Sequence, residues 1–231
     1  ELSNIPLFSQ IIEICTIPDL EIEDLLKSLR NHLLKGASNV TEKSALLNFQ
    51  SSLALHCFVN EYIFGEADAE KLSIKDLERD IEDAIINNRE PETYKVVCLA
   101  SYKPLHQYDW CDSLNLPEEC DVLLKRQITD VLREASLRRH MPCLKEVDRS
   151  VSSLVRSQYE ENPYPRWVDT KLHVRPTSIS SICNLLELKL VNDRITFSNK
   201  PEILIAGCGT GQHALQTATK FENSKVLAID L

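Results

Sequence analysis

Glycine is nearly absent from the first 200 residues, where only Gly36 and Gly65 occur, and then Gly207, Gly209 and Gly211 arrive together as G-C-G-T-G. The flanking residues give this cluster its meaning. A short apolar run, Glu202 to Ala206, leads into it; Gln212 to Phe221 is compatible with a helix; and a second apolar run, Lys225 to Asp230, follows. The pattern predicts strand, glycine turn, helix, strand. Apolar strands without alternation suit a parallel sheet covered on both faces, and a helical crossover between two such strands is the βαβ unit.

The residues before about 160 read differently, as a string of helices. Ile22, Leu25, Leu26, Leu29 and Leu33 recur on one face and Gly36 closes the segment. A second helix is expected from Ser44 to Phe64, with Leu46, Phe49, Leu53 and Cys57 on one stripe and Gly65 as its stop. Ser73 and Asp76 have capping-box spacing ahead of Leu77, Ile81 and Ile85, and Pro91 is expected to open a fourth helix as its first residue. Further helices are expected over Glu118 to Ser136 and Leu144 to Glu161. The 34-residue tetratricopeptide pattern is not visible in these segments.

Pro163, Pro165 and Pro176 forbid a regular helix between Asn162 and Pro176, so the boundary falls there. The expected organisation is a helical domain over 1–161, a proline and aromatic linker over 162–176, and an α/β segment over 177–231 that opens with a helix from Ser178 to Leu190. The fold class is therefore α + α/β: an all-helical N-terminal region, then a first βαβ unit. The chain opens on Glu1 and its one Met is Met141, so the natural chain is expected to extend beyond both ends.

Composition limits the partners. A net charge of −9 opposes a phosphate-backbone partner, because nucleic-acid affinity comes largely from Lys and Arg releasing counterions. The basic stretch from Lys125 to Arg156 and the acidic one from Glu61 to Glu92 read as solvated helix faces. No apolar stretch approaches the length of a spanning helix and no basic-then-apolar leader is present, which makes the cytoplasm the expected location. The eight cysteines form no C-x-x-C pair, so a bound metal is not expected, and several lie in apolar helical patterns as buried reduced thiols would.

The glycine turn carries the chemistry. Glycine is needed where the chain reverses sharply and a ligand must touch backbone that a Cβ would block. Nineteen residues after Gly211, Asp230 ends the second apolar run, where a carboxylate can accept both hydroxyls of an adenosine ribose. A dinucleotide fingerprint would read G-x-G-x-x-G; here the spacing is G-x-G-x-G, which favours S-adenosylmethionine (SAM), a ligand without phosphate. Gln212 and His213 stand where a Walker lysine would follow the turn, which disfavours a nucleoside triphosphate.

The run I-L-I-A-G-C-G-T-G from Ile203 to Gly211, with V-L-A-I-D from Val226 to Asp230, resembles the first two motifs of class I SAM-dependent methyltransferases. Together with S-Q-Y-E-E-N-P-Y-P-R-W from Ser157 to Trp167, it is similar to a bacterial group of these enzymes often described as containing tetratricopeptide repeats. The resemblance covers roughly Ala45 to the end and implies a helical region feeding a seven-stranded Rossmann-like domain. It also implies a cofactor-contacting set of Ala206, Gly207, Cys208, Gly209, Gly211 and Asp230. One departure stands out: many members carry an acid two positions before the first glycine, and here that place is Ile205.

Asn162-Pro163-Tyr164 invites comparison with the N-P-P-Y signature of amino-group methyltransferases, but that signature follows the fourth strand and this segment precedes the first. Its expected role is a linker packing Tyr164 and Trp167 between domains; a wall or lid of the active site is the other reading. His213 is expected on the surface and Cys208 as small filler beneath the strand end. The resemblance implies in-line methyl transfer from SAM to an O, N or C atom of an unknown small-molecule or protein acceptor, chiefly by positioning. Acceptor-side residues are expected from later strands, so these 231 residues by themselves are expected to be inactive and to self-associate through exposed sheet edges. The alternative is a helical protein-interaction module beside a vestigial methyltransferase start.

Overall fold

The computed structural model describes residues 2–36, 44–142, 166–170, 172–189 and 191–230, and divides the chain into two compact units, Glu1–Leu144 and Lys145–Leu231. Residues 162–165 and 171 of the linker expected over 162–176, and the helix expected over 144–161, lie outside the described residues. The described residues are mostly helical, with one two-stranded parallel sheet.

In the first unit, α1 (Pro6–Ile14), α2 (Leu20–Gly36) and α5 (Thr93–Ala100) pack against α3 (Ser44–Val59), and α4 (Asp68–Ile86) packs on α2 and α5. Asp19 starts α2, its Oδ1 accepting from the N–H groups of Glu21 and Ile22 at 3.0 Å each. The expected stripe on α3 is only half of the pattern. Phe49, Leu53 and Cys57 join Ile12, Leu26 and Phe64 in one buried cluster, while Leu47, Ala54 and Leu55 join a larger one with Leu77, Ile81, Val97 and Leu123. A helix with buried residues on every side is a central one.

Three helix boundaries differ from expectation, for identifiable reasons. α3 stops at Val59, because Glu61 and Tyr62 adopt φ of 52° and 54° and the Tyr62 N–H closes back on the Cys57 carbonyl at 2.8 Å. Gly65 is thus not its stop. α4 begins at Asp68 rather than Ser73: Glu70 accepts from the Ala67 N–H at 2.8 Å, half of a capping box, and the Ser73 hydroxyl donates to Ala69 O inside the helix. α5 begins at Thr93, so Pro91 precedes the helix instead of opening it.

The helix expected over Glu118–Ser136 is present but interrupted. α6 (Asp121–Leu124) and α7 (Asp130–Arg138) are joined by a π-helical turn, Lys125–Thr129. The wide turn turns Gln127 inward, fully buried, where its Nε2 donates to Ala100 O (3.0 Å) and Ala54 O (3.4 Å) and its Oε1 accepts from the Leu105 N–H (3.1 Å). The Gln127 carbonyl, displaced from the helical ladder, meets His106 Nδ1 at 3.1 Å.

In the second unit, Ser178 caps α8 (Ile179–Leu185), which ends five residues before the expected Leu190 because Glu187 takes φ of 52° and Leu188 N–H returns to Cys183 O. After the short α9 (Asp193–Thr196), β1 (Glu202–Ala206) and β2 (Lys225–Ile229) pair in parallel, Glu202 opposite Lys225 and Ala206 opposite Ile229. The crossover helix α10 (Gln212–Lys220) packs on β2. The sheet is covered unequally. Ile205 is 8% exposed, whereas the cross-strand pair Leu204 and Leu227 is 61% exposed at each residue. One crossover helix can cover only one face. Among the described residues no helix is long and apolar enough to cross a membrane.

Candidate functional site

The glycine turn sits where β1 hands over to α10, and its conformation requires its composition. Gly207, Gly209 and Gly211 have φ of +72°, +54° and +87°, a region that residues with a Cβ enter only at a cost. No heavy atom lies within 4 Å of where a Cβ would stand on any of the three, so it is the backbone conformation, and not crowding by the protein, that demands glycine here. The same open space leaves the backbone approachable by a ligand.

Internal hydrogen bonds hold the turn in shape. The carbonyl of Ile229, the last residue of β2, accepts from both Gly207 N–H (2.8 Å) and Cys208 N–H (3.2 Å), and Gly211 N–H donates to Cys208 O (3.0 Å). The Gly209 N–H donates to the Asp230 carboxylate. The parallel register is what permits this, because pairing Ala206 with Ile229 brings the next residue of each strand, Gly207 and Asp230, to the same sheet end. Gly211 is the N-cap of α10 and offers no side chain to its first-turn N–H groups, so that helix presents donors and a positive dipole end at the turn.

The six residues expected to contact a cofactor are therefore gathered at one sheet end: Ala206, Gly207, Gly209 and Asp230 are exposed, and Cys208 and Gly211 half-buried. Asp230 is not solely aimed outward, as one of its oxygens is engaged by Gly209. Ile205 is buried and supplies no polar group. His213 is exposed, and Cys208 is half-buried. Tyr164 lies outside the described residues.

A contact that sequence reasoning did not assign joins this turn. The Trp167 indole N–H donates to the hydroxyl of Thr210, between Gly209 and Gly211. The segment behind Trp167 runs along α10: Gln216 Nε2 donates to Thr170 O at 3.1 Å, His173 N–H to Thr219 Oγ1 at 3.2 Å, and Thr177 bridges Phe221. These partners are more than forty residues apart in sequence, beyond the reach of any local pattern.

Other polar groups are buried in the helical unit. The Arg30 guanidinium lies 4.1 Å from the centroid of the Tyr102 ring and 5.5 Å from that of Phe64, and donates to Phe64 O and Gly65 O at 3.3 and 3.2 Å. Glu70 accepts from the Tyr102 hydroxyl at 2.8 Å, and burial, first, then that bond push the Tyr102 hydroxyl well above its ordinary range. These bonds tie the α3–α4 connection to α2, and the first turn of α4 to the residues just after α5. Burial pushes the Cys57 and Cys98 thiols up to about 12, which makes them inert packing groups. The seven described cysteines are free thiols, five of them buried, with Cys15 exposed and Cys208 half-buried. Among the described residues no cluster of His, Cys, Asp and Glu is placed to hold a metal ion.

Two surface clefts, about 370 Å³ beside Asp80 and Lys95 and about 330 Å³ beside His173 and Phe221, do not include the turn. Comparison with protein-family models, with curated proteins and with solved structures gave no match.

Proposed function

We propose that the strand, glycine turn and Asp230 are the first half of a SAM-binding site, and that the protein is a class I SAM-dependent methyltransferase with a Rossmann-like catalytic domain. The observation that carries this reading is the left-handed G-x-G-x-G turn with open space above its three glycines and the Asp230 carboxylate bonded into it. Such a turn suits a ligand that lies against backbone, and the carboxylate suits a ribose diol. The resemblance of Ile203–Gly211 and Val226–Asp230 to the class I motifs supports the same ligand.

In this reading Gly207, Gly209 and Gly211 approach the cofactor, Ala206 and Cys208 line it, and Asp230 holds its ribose. Bound SAM supplies an electrophilic methyl on sulfur. The chain's own residues orient it, and the acceptor, a small molecule or protein, is positioned by later strands. The negative charge favours an acceptor other than nucleic acid, and the cytoplasm is the compartment we assign.

Calorimetry on the natural full-length protein tests this. Binding of SAM and of its demethylated product is expected, and Asp230→Ala should weaken both by roughly ten- to a hundredfold, the scale of lost hydrogen bonds to a charged group. Unchanged affinity would remove Asp230 from the site.

A second reading has its own support. The two buried clusters lie wholly in the helical unit, whereas the sheet has a bare face, as expected if the helices form a protein-interaction module and the sheet is vestigial. Further βα units in the reading frame beyond Leu231, with an acid after the third strand, would favour the enzyme.

A further inference from the structure

Trp167 bonds to the glycine turn, and the segment behind it is held against α10 by further hydrogen bonds. The described residues of this segment, 166–170 and 172–177, meet α10 and the residues just after it: Gln216 at Thr170, Thr219 at His173, and Lys220 to Glu222 at Thr177. At the turn end of this strap the indole N–H is committed to Thr210. That bond uses the one polar atom of the ring, so what the side chain still presents is apolar, and Trp167 remains 40% exposed. The exposed indole surface is thus held at the residue between Gly209 and Gly211, two of three glycines whose Cβ positions are empty.

We propose that Trp167, positioned by Thr210, is a binding residue of the turn's ligand: its ring forms one side of the site and is covered when the ligand seats. The inference rests on the reading of the turn as a SAM site and assigns that site a wall from outside the βαβ unit. It also gives the strap a purpose. A segment that only linked two helical or sheet elements would not need its tryptophan bonded to the middle of a ligand-approachable turn. Thr210 thus acts through Trp167, as a positioning residue, since its hydroxyl is the acceptor that sets the ring's place.

The test is SAM titration of the natural full-length protein, by calorimetry and by tryptophan emission, with Asp230→Ala measured in parallel. Trp167→Ala should weaken SAM binding about tenfold or more, the scale of apolar cover by one aromatic ring, while Trp167→Phe should recover most of it. Saturating SAM should change the emission of the wild type, and that change should vanish in Trp167→Phe. Thr210→Val keeps the size of the residue and removes the acceptor; it should weaken binding severalfold and guards against a Trp167→Ala chain that fails to fold. If Asp230→Ala weakens binding while Trp167→Ala and Thr210→Val bind as the wild type does and emission is unmoved, the wall is refuted and the SAM site stands. If the wild type does not bind SAM, the reading of the turn fails and the wall fails with it.

Discussion

Replacing Gln127 by Met removes three hydrogen bonds from the interior of the helical unit while keeping nearly all of the side-chain volume. The three are not equal. Ala54 O lies within α3 and keeps its helical partner, and Ala100 O still accepts from the Tyr62 hydroxyl at 3.2 Å. The group left without a partner is the Leu105 N–H, on a fully buried residue. An orphaned buried donor costs about 1 to 3 kcal/mol, and this term should dominate Gln127→Met. Gln127→Ala adds a cavity and the lost packing of the stem, roughly 1 to 2 kcal/mol more. Urea unfolding followed by Trp110, whose ring stacks on Tyr108 at 4.6 Å, reports this unit when Trp167 is replaced by Phe. With a slope of about 2 kcal/mol/M, the midpoint of Gln127→Met should fall by roughly 1 M. A midpoint unchanged from the Gln127 protein would show that the three bonds contribute nothing net, and that the π-helical turn is not held by them.

Acid should destabilise the helical unit through His56. It is buried, with Nδ1 2.9 Å from Ile12 O and Nε2 2.9 Å from Asn60 Nδ2, a neutral ring donating at one nitrogen and accepting at the other. Burial lowers its pKa from 6.5, so the unfolded chain binds the proton more readily; the contribution is fully present above 6.5 and is lost as the pH falls through the lowered folded value. Urea midpoints between pH 7.5 and 5 should fall less in His56→Gln than in the wild type, and parallel slopes would exclude His56. On the sheet, Leu204 and Leu227 form an exposed apolar pair on the face that α10 leaves bare. The 231-residue chain should self-associate in light scattering and Leu204→Lys should reduce it; scattering unaffected by the substitution would place the contact elsewhere.

The βαβ unit was legible almost to the residue because its determinants are local: two apolar runs, and glycines that alone reach a positive φ cheaply at 207, 209 and 211. The helix ends at Val59 and Leu185 were not, because Glu61, Tyr62 and Glu187 take the left-handed conformation without being glycine. Ser73 looks like a cap in sequence, yet Glu70 does the capping from its place beneath the Tyr102 hydroxyl, a partner thirty-two residues away. The π-helical turn left no trace, since Lys125 to Thr129 continues an ordinary helical pattern and only the hydrogen bonds of Gln127 to three other segments favour the wider turn. At the site, the glycines and Asp230 could be named from spacing, whereas the bond between Trp167 and Thr210 depends on how the strap folds back along α10.

The most direct test of the turn as a cofactor site is amide NMR of the natural full-length protein titrated with SAM. The resonances of Gly207, Gly209 and Gly211 report the backbone that would meet the ligand, and Gly209 also reports the carboxylate bonded to it. These three amides are expected to shift together on SAM addition, with the Gly209 shift changed or lost in Asp230→Ala. Saturating SAM that leaves all three unmoved, or moves resonances of the helical unit alone, would contradict a SAM site at this turn.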